Sequence, residues 1–503
     1  MIKLERDVQR QSGRTHDLII VGCGIYGAML AFEATRRGLI PLVLEKEDFF
    51  HATSHNHLRT VHGGLRYLQS IDIHRFRESV QERSWFLRTF PDYIRVMPCL
   101  MPLYGKGLHR NTILRAGLLL NDILSATRNR GVKPERAIPA GRILSPAETK
   151  TLFPQVDSVG LTGSARWSDA VVEENQRLLM AILKAAVSAG AAACNYMEAL
   201  ELVRDGNRVT GVVARDHLAA QDVTFRAPVV INAAGPWSRQ MGDRWDRDHR
   251  PLFPKALMLW NVLFDAEALS HHALGLSTVK GGGHTFFFHP WKNRLLVGSP
   301  ELLFEDSTRE ARVEAPDMAR FIEEIEACVP GLKLRPEQIL RVYSGMLPAS
   351  DSGRLANREI LVDHGKRGGP TGLYSVSGVK FTTSRLVADK VLSRVFPSRV
   401  ALPYETWLHA HREPALVFDY AWEPKNAADM ELLRSIISRE AVFHLSDLVL
   451  RRTSLGDHPA RARRMLPVLK TLFDWDEARW QREVGDLEAA MNRSLPVTGG
   501  IHE

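Results

Sequence analysis

Residues 17–45 carry the feature that most restricts what this chain can become. Asp17-Leu-Ile-Ile-Val21 is a short apolar run that ends at Gly22-Cys23-Gly24-Ile25-Tyr26-Gly27, a G-x-G-x-x-G spacing. Helical periodicity follows over Ile25–Arg37, Gly38 is placed to end that helix, and Pro41–Leu44 reads as a second buried strand. The order predicts a parallel β-α-β unit of about thirty residues. The first glycine permits a tight turn, the second lets backbone approach a pyrophosphate, and the third packs helix against strand. Phosphates then meet the positive end of the helix. Glu45 stands 21 residues after Gly24. An acid there accepts hydrogen bonds from ribose hydroxyls, and its charge argues against a 2′-phosphate. Cys23 reads as a small filler of the loop.

The spacing alone does not choose between a flavin and a nicotinamide dinucleotide. Val230–Gly235 and Ser375–Thr383 repeat the pattern of a strand running into a small-residue turn. A flavin buried lengthwise needs backbone amides from several such junctions, whereas a nicotinamide cofactor needs mainly the first. The three junctions favour FAD.

Elsewhere the pattern is mixed. Helices are expected over Arg75–Arg88, Glu174–Ala189, Ala315–Cys328 and Lys380–Phe396. Ala199–Val203, Val209–Ala214 and Asp222–Arg226 read as a meander turned at Asp205-Gly206-Asn207, and Phe286–His289 pairs with Leu295–Gly298. Beyond about residue 400 the chain is helical and charged. The expected organisation is an arm (1–16), an oxidoreductase body (17–400) and a helical domain (401–503). Within the body, dinucleotide-binding segments (17–95, 160–240, 340–400) alternate with a substrate domain (96–159, 241–339).

Composition narrows the partners. A net charge of +8 over 503 residues is thin, and no basic run interleaved with aromatics suggests nucleic acid. Cys23, Cys99, Cys194 and Cys328 are scattered, so neither a disulfide framework nor a metal site is expected. No signal peptide or spanning segment is read. The expected location is cytoplasmic, with peripheral contact at the inner face of the cell membrane as the sharper alternative. Ile113–Leu124 is the most apolar segment and reads either as a buried helix or as an interfacial one. Arg451, Arg452, Arg461, Arg463 and Arg464 read as a solvated basic face, and Trp407, Trp422, Trp475 and Trp480 as packing residues of the helical tail. A homo-oligomer remains open.

Six motifs stand in order: residues 17–27, Ala52-Thr53-Ser54, His62-Gly63-Gly64-Leu65-Arg66-Tyr67-Leu68, Asn232-Ala233-Ala234-Gly235-Pro236-Trp237, Tyr343-Ser344-Gly345 and Lys380-Phe381-Thr382-Thr383. Together they resemble the FAD-dependent glycerol-3-phosphate dehydrogenase family, within the D-amino-acid-oxidase-like flavoproteins. Asp447–Thr453 and Trp475-Asp476 are similar to that family's helical cap. The resemblance implies an α/β fold: a Rossmann-type FAD-binding domain, a mixed-sheet substrate domain and a C-terminal helical domain. It implies hydride abstraction from a C–H beside a hydroxyl of a small anionic substrate, with electrons passing to a quinone or to oxygen.

The residues that would hold FAD are Gly22, Gly24, Ile25, Tyr26, Gly27, Glu45, Lys46, Thr53, Ser54, His57, Arg59, His62, Gly63, Gly64, Ala234, Gly235, Gly345, Gly378, Lys380, Phe381, Thr382 and Thr383. Arg66, Tyr67, Met258, Leu347 and Lys380 would meet substrate. His62, Arg66, Lys380 and His289 are the catalytic candidates.

Three departures matter. Lys255-Ala256-Leu257-Met258 stands where the family has Lys-Gly-x-His, and Met346-Leu347-Pro348 where it has x-Arg-Pro, whose Arg holds substrate phosphate. An imidazole and a bidentate guanidinium have become apolar side chains. His55-Asn56-His57-Leu58-Arg59 replaces a serine-rich stretch. Arg59, Arg66 and Arg354 are placed to rebuild an anion site. A base for an alcohol substrate would come from His55, His57, His62, His284 or His289, and His284 follows the permissive loop Gly281-Gly282-Gly283. His55, His57 and His62 are also candidates for covalent attachment of flavin. An amine or amino-acid oxidase, which needs no strong base, and an FAD-binding protein without catalysis are the alternatives.

Overall fold

The computed structural model describes residues 2–68, 70–105, 110–246, 255–279, 282–304, 312–350, 352–356 and 358–496. Its centre is a six-stranded sheet in the order Ile360–Asp363, Leu373–Ser377, Val230–Asn232, Leu18–Val21, Pro41–Leu44, Ala192–Cys194. All neighbours are parallel except the first pair. Strands buried on both faces need continuous apolar runs, and Leu18–Val21 and Pro41–Leu44 are buried at every position. The Ile25–Thr35 helix covers one face, packed against helices Asn175–Ser188 and Ser384–Val395. The expected meander forms a separate three-stranded sheet, Met197–Asp205, Arg208–Asp216 and Gln221–Arg226, turned at Gly206 with φ +58°.

A second, nine-stranded sheet stands over the carboxyl ends of the first. Its strands include Ile94–Leu103, Gly163–Val172, Lys255–Glu267, Ala273–Val279, Gly282–Trp291, Arg294–Phe304 and Ile339–Ala349. Gly163–Val172 and Ile339–Ala349 fall in segments that the sequence assigned to dinucleotide binding. Their ladders run instead with Ile94–Leu103 and Lys255–Glu267, inside the second sheet.

The tail from residue 427 is a helical unit with its own core of Leu433, Ile436, Leu448, Leu469, Trp480 and Leu487. Helix Tyr404–His411 does not belong to that core, although it lies beyond the expected boundary at 400. Its Trp407 packs 4.5 Å from the Phe32 ring, in the core of the first sheet. The basic face expected of the tail does not form. Arg452 and Arg461 are buried, and Arg451 is mostly covered and paired with Asp48 and Asp447. Arg463 and Arg464 are exposed but paired with Glu488 and Glu423.

Candidate active site

Open parallel sheets bind ligands at the carboxyl ends of their strands, where the connections diverge. A cavity of about 1200 Å³ opens there, between the two sheets. The first junction forms one wall. Gly22 has φ +97°, and a Cβ on it would meet the Ala233 carbonyl at 2.8 Å. Gly27 fits under Gly22, where a Cβ would come within 1.9 Å of the Gly22 oxygen, so its role is packing and it does not line the cavity. The Glu45 carboxylate accepts the N–H of Cys23 at 2.7 Å and of Glu47 at 3.1 Å, and burial pushes its pKa up to about 7. Burial pushes the Cys23 thiol well up, which suits inert filler.

The later junctions close on the first. Val230–Asn232 ends beside Leu18–Val21, and Leu373–Ser377 beside Val230–Asn232, so Ala234, Gly235 and Gly378 line the same cavity. The Tyr26 hydroxyl donates to the Lys380 carbonyl at 2.7 Å and accepts the Lys380 N–H at 3.3 Å. A Cβ on Gly378 would collide with the Tyr26 ring at 1.6 Å. Ser54 Oγ accepts the Ile25 N–H at 2.8 Å, and Thr53 Oγ1 is tied to the backbone of Met346 in both directions at 3.2 Å.

At the far end, His57 stacks on Phe381 at 4.3 Å. Its Nδ1 accepts the Arg59 N–H and its Nε2 donates to Asn175 Oδ1 at 2.8 Å. The Thr382 hydroxyl accepts the His62 N–H at 3.0 Å. Asp169 Oδ1 accepts the Gly63 N–H at 2.6 Å and a bond from Arg83 at 2.8 Å. Its other oxygen lies 3.7 Å from His62 Nδ1. Burial raises the Asp169 pKa, but His62 and Arg83 outweigh it and hold the carboxyl well below its usual range. Lys380 Nζ sits 3.9 Å from the centre of the Tyr67 ring. Desolvation lowers its pKa to about 8.

Gly22, Gly24, Ile25, Tyr26, Glu45, Lys46, Thr53, Ser54, His57, His62, Gly64, Arg66, Tyr67, Gly345, Leu347, Phe381 and Thr382 line this cavity with Lys380. Gly63 is tucked beneath Arg83, and Thr383 lies one residue beyond the wall, as N-cap of the Ser384–Val395 helix.

Four expected residues face elsewhere. Met258 is fully buried in the second sheet's own core, because side chains alternate along a strand and Leu259 and Asn261 take the cavity face. The change read at position 258 therefore removes no group from the wall. Arg59 is fully buried, its guanidinium 4.6 Å from the Tyr343 ring centre and 5.5 Å from that of Trp291. His289 lies behind Thr60, 3.5 Å from its hydroxyl, with its pKa lowered to about 3 by burial. Arg354 is exposed outside the cavity, so Arg66 alone remains of the three guanidines expected to hold an anion.

Among the histidines, His55 is buried off the cavity, and His57 has both nitrogens engaged and a pKa lowered to about 3 by burial. His284 lines the opposite wall, Nε2 3.1 Å from the Ser299 carbonyl. Of its preceding glycines, Gly281 lies outside the described residues. His62 is the one candidate for covalent attachment that lines the cavity with neither nitrogen held as those of His57 are.

Asp169, whose chemistry could not be read from the sequence, and the 197–199 segment, which was missed, are both wall residues. Asp169 is a lone acid in an apolar strand, and its role rests on Gly63, 106 residues away. Met197 donates its N–H to the Glu45 carbonyl, a pairing that only the sheet order reveals. Asp246, His364 and Ser375 are linked at 2.6 and 2.8 Å like an acid-base-nucleophile set. All three are buried outside the cavity, and Ser375 Oγ also takes a bond from Asn232, so they brace the sheet.

The model of the FAD dependent oxidoreductase family matches residues 17–393. The chain belongs to this family. It is 29% identical over 401 residues to a glycerol-3-phosphate dehydrogenase of Synechocystis, covering 76% of this chain and 70% of that one. The aerobic glycerol-3-phosphate dehydrogenase of Bacillus subtilis is 26% identical over 400 residues, covering 78% and 69%. The glycerol-3-phosphate dehydrogenase of Bacillus halodurans, solved with FAD, superposes with a TM-score of 0.75 at 20% identity over 99% of this chain and all of that one. An L-α-glycerophosphate oxidase of Mycoplasma pneumoniae gives 0.55 at 16% identity, over 76% and 94%.

The protein is thus an FAD-dependent oxidoreductase acting on a small molecule. Its cavity fits the cofactor: the glycine turn leaves no room for a Cβ, Glu45 is fixed at the end of the second strand, and three junctions converge.

Proposed function

We propose that the enzyme oxidises the carbinol carbon of a small anionic substrate. The observation that carries this reading is the pairing of Arg66 and Lys380 on one wall. Among the described residues neither has a carboxylate partner, and Lys380 lies against Tyr67, the neighbour of Arg66. A guanidinium without a partner binds an anion in bidentate fashion. An amine poised near neutral pH accepts a proton. Arg66 therefore holds the anion, and Lys380 in its neutral form takes the hydroxyl proton as the carbon–oxygen bond becomes a carbonyl. Asp169 and Thr382 fix the His62–Gly64 turn beside them. FAD, when bound, supplies the two-electron acceptor for the hydride.

The names of the relatives make sn-glycerol 3-phosphate the first trial substrate. The test is anaerobic titration of the holoenzyme with that compound, then with polyol phosphates, 2-hydroxy acids and amines. Bleaching of the flavin band by a hydroxylated anion supports the reading. Bleaching by amines alone refutes it.

The same reading puts the enzyme in peripheral contact with a membrane, where a quinone accepts the electrons. Among the described residues no helix is long and apolar enough to cross a bilayer. Helix Asn111–Leu124 nevertheless exposes Leu119 and Ile123 at 62% each, with Ile113 and Leu120 beside them and Arg110 and Arg115 exposed at its amino end. An apolar face edged by arginines suits the interface of an anionic bilayer.

A further inference from the structure

The cavity of about 1200 Å³ must hold FAD as well as a substrate, and the part of its wall that follows Arg66 is lined by apolar side chains. Leu65, Met101, Leu114, Leu118, Trp167 and Phe287 all line it, and all belong to or pack against one hydrophobic cluster of the second sheet. This compartment begins at Leu65, the neighbour of Arg66. It ends at Ile71, Ile113 and Leu120, which line the cavity and are also exposed to solvent. The floor beyond Gly345 is Leu347 and Leu259. Neither of these two side chains offers a phosphate a positive charge. A hydrocarbon chain has apolar side chains to meet from the Arg66 end to the surface.

We propose that the substrate carries an apolar chain of several carbons, which lies in this compartment while its anionic head meets Arg66. The substrate class is an amphipathic hydroxy acid or a similar long-chain hydroxylated anion. The inference rests on the proposed role of Arg66 for its head group, but the compartment itself does not. Glycerol phosphate, with three carbons, leaves the compartment unfilled. The chain lies along the inner face of helix Asn111–Leu124, whose outer face is the one exposed to solvent.

The test is equilibrium binding to the FAD-loaded enzyme, read from the visible flavin spectrum, with straight-chain carboxylates from acetate to decanoate. Each methylene buried should lower Kd about four-fold, the equivalent of about 0.8 kcal/mol. Gly117→Phe fills the compartment from the helix, since a Cβ at Gly117 meets no heavy atom within 4 Å. It should remove the gain with chain length and leave acetate unchanged. Leu118→Trp is a second filling variant, should the first fail to fold. Arg66→Ala should weaken every chain length by the same factor. Equal affinity for acetate and decanoate, or no spectral response to either, overturns the inference. So does a chain-length gain that survives both filling variants, because the chain then lies elsewhere. A chain-length gain that Gly117→Phe abolishes but Arg66→Ala leaves untouched upholds the compartment and refutes the proposed head-group role.

Discussion

Lys380 and Glu45 show how burial tunes single groups in this cavity. Desolvation lowers the lysine to about 8. It is mostly protonated below that value and free to accept a proton above it, so kcat/KM should rise with pH and level off above about 8. Lys380→Met should lower kcat/KM by roughly 10²–10⁴, the usual contribution of a general base, and abolish the rise. Lys380→Arg keeps the charge but stays protonated, so it should be as slow. Retention of the flavin spectrum in both variants separates loss of chemistry from loss of cofactor. A wild-type profile that is flat between pH 6.5 and 9 contradicts the assignment.

Glu45 moves the other way, because burial raises it to about 7. Above that pH it would present a carboxylate to the ribose hydroxyls of bound FAD, and below it a neutral acid. A hydrogen bond to a charged group contributes about 1.5–3 kcal/mol, so FAD affinity should fall by up to about ten-fold, the change in the ionised fraction, as the pH drops from 8 to 6. Glu45→Gln should bind FAD weakly at both values. Fluorescence of released flavin reads the outcome directly.

At the scale of elements, what could be read from residue order is what depends on local spacing. The Gly22–Gly27 turn, the two buried strands and Glu45 lie within one β-α-β unit, where period and glycine position dictate geometry. Faces of strands were not legible. A shift of one residue moves a side chain across the sheet, and the register that sends Met258 inward and Leu259 to the cavity is set by strands far away in sequence. His289 was placed on the correct strand, but Thr60 of a remote segment screens it. Helix Asn111–Leu124 was recognised from its apolar content, and the packing decides between burial and exposure: of its 14 residues only Leu118 is buried. The exposed face yields a prediction. Leu119→Asp with Ile123→Asp should abolish co-sedimentation with anionic phospholipid vesicles and leave anaerobic flavin reduction by soluble substrate unchanged. Vesicle binding equal to wild type removes this helix as the contact.

The whole molecule is held by buried ion pairs that join the tail to the dinucleotide-binding sheet. Asp48 follows the second strand and accepts bonds from Arg451 at 2.5 Å and from Arg452 at 2.8 Å, across about 400 residues of chain. Glu440 receives Arg177 at 2.7 Å and Lys184 at 3.2 Å from the Asn175–Ser188 helix. These arginines looked like a solvated face because their partners stand in another part of the chain, and a charge run in sequence does not reveal its counter-charges. Removing one partner of such a pair strands a buried charge and costs about 3–5 kcal/mol. Asp48→Ala should therefore lower Tm and also loosen FAD, since Asp48 lies three residues from Glu45. The pH dependence has a definite direction. Burial raises the Glu440 pKa, but Arg177 and Lys184 outweigh it and bring the value down to about 2. An unfolded glutamate titrates near 4.3. A group depressed on folding stabilises the native state above its unfolded pKa and loses that contribution as the pH falls towards its folded value. Asp48, held low by the same kind of pairing, acts in the same sense. Tm should thus fall steeply between about pH 4 and pH 2, and the tail should detach before the six-stranded sheet melts. Hydrogen exchange at pH 3.5 should show early loss of protection in helices Ala427–Arg439 and Pro459–Lys470. Simultaneous loss in the Leu18–Val21 strand would mean that tail and sheet unfold as one unit.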